Sequence, residues 1–509
     1  MAGMFLSGTR TLNGEQMFQR SARAATGLAQ LGVGAGDAVA ILLRNDFPFI
    51  EVTIATQALN AYAVPINWHT NWEEIGAIMA DCEAKVLLCH ADLLAPIIRR
   101  VPGEITILAV PTPDEIRAAY VLEPTLCAIP EGVTDWTRWL EGFEPHPATP
   151  EPARFNFLNT MIYTGGTTGR PKGIRRLPIS EEQEQAMYQA LTQDTETVQL
   201  ITGPLYHNAP NMNCLRGVRC ESTVALMPRF DPEQTLQMIA KHKVSYLHAV
   251  PTMFNRLLKL PDAVKRRYDL SSLEVVVHGA APCAPEVKRA MIDWWGPVLV
   301  EYYGGSETGA VTLCDSNEWL AHPGTVGMAL ENTEVRIFDD RGRPVGPGEI
   351  GEIYMWNASQ PDFTYLGKAE MRREVEREGL VTCGDIGYLD EEGYLYLCDR
   401  KKDMVISAGV NIYPSEIEAE LYGLPGVRDC AVFGIPDDDF GESLAAAIQL
   451  EDGATLTSDA VIKFLKGKLA GFKVPRLIEF RTELPREDSG KIFKRKLREP
   501  YWQEAGRSI

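Results

Sequence analysis

Apolar runs rich in β-branched residues alternate with stretches of helical periodicity over the first three quarters of the chain. This alternation predicts parallel β-sheets covered by helices, because parallel strands need long crossover connections that are usually helical. The predicted buried strands lie at 38–43, 85–89, 105–110, 198–202, 245–250, 275–278 and 298–302. The predicted helices between them include 14–31, 47–59, 232–242, 252–259 and 285–295.

The chain is too long for one compact core. It has 509 residues, of which 45% are hydrophobic, whereas single cores stop growing at about 250–300 residues. From about Gly346 short strands and turns replace the alternation, and a compact unit begins after Asp399. We expect an α/β fold with a large N-terminal domain of two helix-covered sheets over 1–399, including a β-rich subdomain at about 324–399. A small, mobile α+β C-terminal domain is expected over 400–509.

Composition argues against several classes of protein. The net charge of −19 disfavours a nucleic-acid partner, because phosphate backbones are bound by basic surfaces. No apolar run approaches the roughly 18–20 residues of a membrane span, so we expect no transmembrane segment and a cytoplasmic location. The ten Cys have irregular spacing without C-x-x-C, and H-E-x-x-H does not occur, which leaves disulfide and zinc sites unsupported.

A loop dense in glycine, hydroxyl groups and one lysine follows the apolar residues at 161–163. Glycine lets backbone N–H groups turn toward an anion, threonine hydroxyls donate hydrogen bonds, and Lys172 adds a positive charge. The loop therefore predicts a polyphosphate site. It is not a Walker A loop, because Pro171 precedes Lys172 and Gly173 follows it. The residues expected at the phosphates are Thr164, Gly165, Gly166, Thr167, Thr168, Gly169 and Lys172.

This loop resembles the signature of the adenylate-forming superfamily, which includes acyl-CoA synthetases, adenylation domains of peptide synthetases and luciferases. Four further motifs follow in that family's order, so the resemblance extends from about Gly14 to Arg498. One departure is Gly165, where the family usually has serine. The missing hydroxyl group would weaken the pyrophosphate contacts, and a degenerate nucleotide-binding module stays open as an alternative to an enzyme.

The second and third motifs, at 302–308 and 382–385, imply a nucleotide site. By resemblance, Tyr303 stacks on adenine, Ser306 contacts the α-phosphate and Glu307 helps to hold Mg²⁺, which prefers hard oxygen ligands. Asp385 resembles the family carboxylate that accepts hydrogen bonds from both ribose hydroxyls. The other motif residues expected at the nucleotide are Tyr302, Gly304 and Thr308.

The fourth and fifth motifs, at 399–414 and 484–492, involve the C-terminal unit. At 399–403, Arg400 is expected to reach the nucleotide and Lys402 to be the pivot between the domains. The loop 407–414 resembles the lining of the family's pantetheine tunnel, where Gly409 leaves room for a thin chain. Residues 484–492 match the loop of the catalytic lysine, so Lys491 is expected to stabilise the charge of an in-line transition state. The expected catalytic residues are Lys491, Glu307 and Thr167.

Two other segments bear on the acyl group. His207 lies in a segment that resembles the family's aromatic-histidine stretch beside the carboxylate. Gly279 and Gly305 are expected to be small walls of the acyl pocket, and no obvious basic residue there invites a second carboxylate. Arg175 and Arg176 are predicted either to touch phosphates or CoA or to lie at a solvated helix start. The stretch on which adenine is expected to pack is Gly279, Ala280, Ala281 and Pro282.

The resemblance implies an AMP-forming acyl-CoA ligase that uses ATP, Mg²⁺ and coenzyme A to activate a small-molecule carboxylic acid that is hydrophobic or aromatic. Medium-chain fatty, aryl-propenoic and polycyclic side-chain acids all fit an apolar pocket with small walls. Two rivals within the fold are transfer of the acyl group to a carrier protein or another acceptor, and a luciferase-like oxidation. The oligomeric state stays open, a homodimer being one of the alternatives.

Overall fold

The structure is a computed structural model that describes residues 3–165, 171–180, 183–184, 187, 193–486 and 492–505. Its earlier strands are β1 (Met4–Ser7), β2 (Arg10–Asn13), β3 (Ala38–Leu42), β4 (Tyr62–Pro65), β5 (Ala84–His90), β6 (Thr106–Val110), β7 (Thr134–Asp135), β8 (Ile162–Gly165), β9 (Pro171–Arg176), β10 (Val198–Ile201), β11 (Thr223–Leu226), β12 (Tyr246–Ala249), β13 (Val275–His278) and β14 (Leu299–Gly305). The later strands are β15 (Gly309–Asp315), β16 (Met328–Ala329), β17 (Thr333–Phe338), β18 (Gly351–Asn357), β19 (Phe363–Tyr365), β20 (Glu376–Arg377), β21 (Leu380–Leu389), β22 (Leu395–Arg400), β23 (Val405–Ser407), β24 (Val410–Ile412), β25 (Val427–Asp437), β26 (Gly441–Leu450) and β27 (Leu477–Arg481).

The helices cover these sheets. They are α1 (Gly14–Gln30), α2 (Phe47–Ala58), α3 (Trp72–Asp81), α4 (Ala91–Leu94), α5 (Asp114–Tyr120), α6 (Trp136–Leu140), α7 (Asn208–Arg219), α8 (Pro232–His242), α9 (Pro251–Leu258), α10 (Asp262–Lys265), α11 (Pro285–Trp295), α12 (Ser316–Ala321), α13 (Ala369–Glu374), α14 (Pro414–Tyr422), α15 (Ser458–Lys466) and α16 (Lys494–Glu504). Within the described ranges, none of these helices is both long enough and apolar enough to cross a bilayer.

Two large sheets form the N-terminal part, as the alternation predicts. The first has the order β16-β15-β14-β13-β12-β10-β11-β1-β2, and its central strands β10 to β14 run parallel. The second, β4-β3-β5-β6-β7, is parallel throughout. Each of the seven predicted buried strands is present within a few residues of its expected bounds. The predicted α/β fold is confirmed.

One hydrophobic core joins the two large sheets. It contains Ile41 and Leu88 from the second sheet and Leu226 from the first, with α1 and α2 packed between them. Helix α2 is buried on nearly every side, from Phe47 to Ala58. An all-round apolar helix is stable only where protein covers every face, so the sequence of α2 requires a layered arrangement of sheet, helices and sheet.

Three smaller sheets complete the described structure. One is β19-β9-β8; another is β17-β18-β21-β20 with β22 paired to β21; the third is β24-β23-β26-β25 with β27 paired to β26. The predicted boundary at 399/400 falls at the end of β22, just before the third of these sheets begins at Val405. The division into two domains stays a prediction.

Candidate functional site

Neighbouring parallel strands end together at one edge of the nine-stranded sheet, called here the carboxyl edge. Strands β10, β12, β13 and β14 lie side by side in that order. Ligands of open α/β sheets bind outside the carboxyl ends of the strands. His207 follows β10, Gly279 follows β13 and Glu307 follows β14, so the fold brings three predicted site residues to this edge.

A carboxylate and a lysine both lie next to one tyrosine at the carboxyl edge. Glu307 Oε1 accepts a hydrogen bond of 3.0 Å from the Tyr365 hydroxyl group. Lys172 Nζ lies 5.0 Å from the centroid of the Tyr365 ring. Lys172 is itself buried, with 9% of its surface exposed. Lys172 and Glu307 therefore both lie against Tyr365, which brings the two charges to one place at this edge.

Arg176 forms hydrogen bonds with the backbone that carries Glu307. Its guanidinium group donates hydrogen bonds to the carbonyl oxygens of Ser306, Glu307 and Pro361 at 2.5, 2.5 and 3.2 Å. Burial lowers the pKa of Arg176 to about 10, although the charge of Glu307 opposes this. The predicted solvated helix start at Arg175 and Arg176 is wrong, because the chain returns from the loop as strand β9, antiparallel to β8.

A second cluster joins three motifs. The Tyr303 hydroxyl donates to Asp385 Oδ2 at 2.8 Å, and Arg400 Nε lies 2.8 Å from Asp385 Oδ1. Tyr303 and Asp385 are each 7% exposed. Burial raises the pKa of Tyr303, and the negative charge of Asp385 raises it further. Each carboxylate oxygen keeps a second lone pair, so Asp385 can accept further hydrogen bonds from a ligand.

Tyr302 does not share a face with Tyr303. Successive side chains of a strand point to opposite sides, and Tyr302 turns toward the segment after β13. A Cβ atom on Gly279 would lie 2.5 Å from the Tyr302 carbonyl oxygen and 2.9 Å from its ring. The backbone and ring of Tyr302 occupy the space that a side chain at position 279 would need, so only glycine fits there. Tyr302 therefore belongs to the same pocket wall as Gly279.

The turn after β14 is closely packed. A Cβ atom on Gly304 would lie 1.9 Å from the carbonyl oxygen of Gly309, and one on Gly305 would lie 2.4 Å from Cys383 Sγ. The Thr308 hydroxyl accepts a hydrogen bond of 3.2 Å from the Gly305 backbone N–H. These residues shape the turn, so that Ser306 and Glu307 are presented on a rigid support.

The segment after β13 is exposed and its backbone is unusual. Ala280 has φ of +64°, a left-handed conformation that residues with a side chain rarely adopt and that clusters at functional sites. Ala281 and Pro282 are exposed beside it. In the segment after β10, His207 directly precedes α7, and its ring centroid lies 4.5 Å from that of Tyr206.

The predicted residues of the C-terminal unit lie on or before its sheet. Lys402 is exposed, and its carbonyl oxygen accepts a hydrogen bond of 3.0 Å from Arg498 Nη1. Ala408 and Gly409 form the turn between β23 and β24 with φ of +50° and +80°. A two-residue hairpin turn of this kind needs positive φ at both positions, so Gly409 is required by the turn itself.

Some predicted site residues lie outside the described residues, and only the residues that flank them in the chain can be placed. Strands β8 and β9 pair with Thr164 opposite Lys172 and Gly165 opposite Pro171. Arg486 and Ile492 form an antiparallel bridge. The predicted site residues outside the described ranges are Gly166, Thr167, Thr168, Gly169 and Lys491.

Sequence reasoning missed the residues that connect the motifs. Tyr365 lies 58 positions from Glu307, and Cys383 lies 76 positions from it. Neither stands out from the residues around it by composition or periodicity. Arg176 carried one signal, its position four residues after Lys172 of the phosphate loop, but its charge was equally typical of a solvated residue.

Comparison with known proteins identifies relatives over almost the whole length. Residues 3–360 match the model of AMP-binding enzymes, and residues 416–491 match that of the AMP-binding enzyme C-terminal domain. A feruloyl-CoA synthase from Amycolatopsis sp is 34% identical over 500 residues, which cover 96% of this chain and 94% of that protein. The long-chain-fatty-acid–CoA ligase FadD13 from Mycobacterium tuberculosis is 31% identical, with 96% and 92% covered. The crystal structure of ATP-bound MatB from Rhodopseudomonas palustris superposes with a TM-score of 0.81 at 27% identity and covers 98% of this chain and 96% of that one.

Proposed function

Because the chain belongs to the family of AMP-binding, adenylate-forming enzymes, we propose that it acts as an AMP-forming acyl-CoA ligase. It activates a hydrophobic or aromatic carboxylic acid with ATP and transfers the acyl group to coenzyme A. The observation that carries this proposal is the meeting of two clusters beside the carboxyl edge. One is Lys172, Tyr365 and Glu307, and the other is Tyr303, Asp385 and Arg400.

Each cluster binds a different part of the nucleotide. Asp385 accepts hydrogen bonds from the ribose hydroxyls, while Tyr303 provides an aromatic surface for adenine. Lys172 attracts the phosphates as a point charge. Glu307 offers the hard carboxylate oxygens that Mg²⁺ prefers, so its chemistry fits that ion. When bound, Mg²⁺ would neutralise charge on the phosphates.

The reaction has two displacement steps. The carboxylate oxygen of the acid attacks the α-phosphorus of ATP, the bond to pyrophosphate breaks, and acyl-AMP forms. The CoA thiolate then attacks the acyl carbonyl carbon, and AMP leaves with the electron pair of the broken C–O bond. Lys491 stabilises the charge that develops in the first step. The C-terminal unit turns about Lys402 and brings the Gly409 turn to the site for the second step.

The experiment separates the two half-reactions. Lys491→Ala is expected to reduce pyrophosphate release by about 10²–10³-fold, the usual effect of removing one preorganised charge or donor, while supplied acyl-AMP and CoA still give thioester. Lys496→Ala is the matched control, because Lys496 is exposed on α16 five positions further on. Equal loss of both half-reactions in a folded Lys491→Ala variant would contradict the two-orientation scheme.

The same assay separates the alternatives. Purified protein is incubated with ATP, Mg²⁺ and a panel of acids, with and without CoA, and pyrophosphate and thioester are measured. Pyrophosphate release without any thioester would favour a carrier protein or another acceptor. No release with any acid would favour a nucleotide-binding module.

A further inference from the structure

Helix α7 covers one face of the nine-stranded sheet. On β12, Tyr246 and His248 point away from Leu247, which packs into the core beneath α9 and α11. The Tyr246 hydroxyl donates a hydrogen bond of 2.8 Å to Asn213 Oδ1 on α7. Tyr302 on β14 shares this face, since Glu301 on the opposite one pairs with a lysine of α11. The face therefore continues from α7 to the wall that Tyr302 and Gly279 form.

Arg216 lies on α7 over this face. It follows Asn213 by three positions, and residues three apart on a helix are neighbours on its surface. Burial raises the pKa of Tyr246 and of Tyr302, and the nearby charge of Arg216 opposes the rise in both. Burial also lowers the pKa of His248 to about 4, and Arg216 lowers it further. His248 is consequently a neutral imidazole beside a fixed positive charge.

Two buried nitrogen atoms on this face have no hydrogen-bond partner. Arg216 Nε is buried and has no hydrogen-bond acceptor, and Arg216 makes no ion pair with any described residue. His248 Nε2 is likewise buried without a partner. On the opposite face of the sheet the fully buried cation Lys288 is paired, with its Nζ 2.6 Å from Glu301. Buried hydrogen-bonding atoms normally have a partner, so the unpaired Arg216 Nε and His248 Nε2 on this face are the observation that points to a ligand.

We propose that Arg216 binds a second carboxylate at the far end of the acyl substrate, so that the enzyme selects acids that carry an anionic group at both ends. This rests on the proposed ligase function. The reacting carboxylate lies at the carboxyl edge near Glu307, and the body of the acid passes Gly279 and Tyr302. The far end then meets donors from Arg216 and His248, which match an oxyanion. This proposal differs from the expectation that no obvious basic residue at the small walls of the acyl pocket invites a second carboxylate.

The test compares acids that differ only at the far end. Pyrophosphate release and thioester formation are measured for straight-chain dicarboxylic acids of five to ten carbons and for monocarboxylic acids of equal length. Cinnamic acid is compared with its 4-carboxy and 4-hydroxy derivatives. At the length that fits, kcat/KM is expected to favour the second carboxylate by about tenfold or more, as for a charge-assisted hydrogen bond.

Two variants identify the residue responsible. Arg216→Met is expected to abolish the preference, because the second carboxylate then loses its charged partner. Its Tm should not fall, because the arginine removed has no protein partner. Arg219→Met is the matched control: Arg219 lies on the same helix but donates to the Phe155 carbonyl oxygen at 3.2 Å, so the preference should persist.

Each other outcome overturns the proposal. Higher kcat/KM for monocarboxylic acids at every length, a preference for 4-hydroxycinnamic acid, or an unchanged ratio in Arg216→Met would show that Arg216 does not read a carboxylate. A lower Tm in Arg216→Met with an unchanged ratio would assign it a structural role. If no acid at all releases pyrophosphate, the proposed ligase function fails as well.

Discussion

Replacement of Arg176 by methionine should remove the hydrogen bonds that hold the turn of Ser306 and Glu307 in place. Three hydrogen bonds from a charged donor are worth about 1.5–3 kcal/mol each, or roughly 4.5–9 kcal/mol together. Against this stands the cost of burial, which lowers the pKa from 12.5 to about 10 and so amounts to about 3.4 kcal/mol at 1.36 kcal/mol per unit. Subtracting the cost of burial from the hydrogen-bond energy leaves a range whose lower half contains about 3 kcal/mol, which we take as the net loss of interaction energy. Expressed in the reaction barrier, it corresponds to roughly a hundredfold lower rate.

The assay is pyrophosphate release at saturating ATP and Mg²⁺, with kcat and the KM for ATP measured separately. Arg175→Met is the control, because Arg175 is exposed on the same strand and donates to the Tyr62 hydroxyl at 2.8 Å. We expect Arg176→Met to lower kcat about a hundredfold and Arg175→Met to change it by less than about threefold. Equal effects of the two substitutions would refute the reasoning, as would an unchanged kcat in Arg176→Met.

The remaining predictions concern pH and packing. Burial lowers the pKa of His248 from 6.5 to about 4. As the pH falls, the unfolded chain therefore takes up a proton at this histidine before the folded protein does. The free energy of unfolding keeps the full contribution of neutral His248 above pH 6.5 and loses up to about 3 kcal/mol as the pH drops toward 4. His248→Gln should therefore flatten the decline of Tm across that range. Gly305→Ala places a Cβ atom 2.4 Å from Cys383 Sγ and should lower kcat at least tenfold, whereas Gly103→Ala, with open space around it, should not; equal activities would contradict the role of the close contact.

Periodicity predicted the central strands because their side chains are buried on both faces. The run Ala38–Leu42 is apolar without interruption and buried at every position, which is typical of parallel strands covered by helices. The motifs likewise predicted that Tyr303, Asp385 and Glu307 belong to one site. Both signals are local in the sequence, and each needed only a few adjacent residues.

The residues that support the site could not be predicted from local sequence patterns. Arg176 ends strand β9 with a charged residue, so its polarity favoured a loop or helix start, yet it is buried against carbonyl groups 130 and 131 positions away. Arg216 follows an amphipathic pattern and looks like a solvated helix residue. Its position over Tyr246 and His248 depends on the order in which β10, β12 and β14 assemble, and no short segment of sequence contains that order.

Cys383 lies beside the place where an activated acyl group would form. Its Sγ is 3.9 Å from Glu307 Oε2, and burial raises the pKa of the thiol well above its ordinary value, with Glu307 and Asp385 adding to the effect. Only a thiolate is an effective nucleophile. Burial, with the two carboxylates adding to it, favours the protonated thiol, so Cys383 would be a poor acceptor for an acyl group formed beside it.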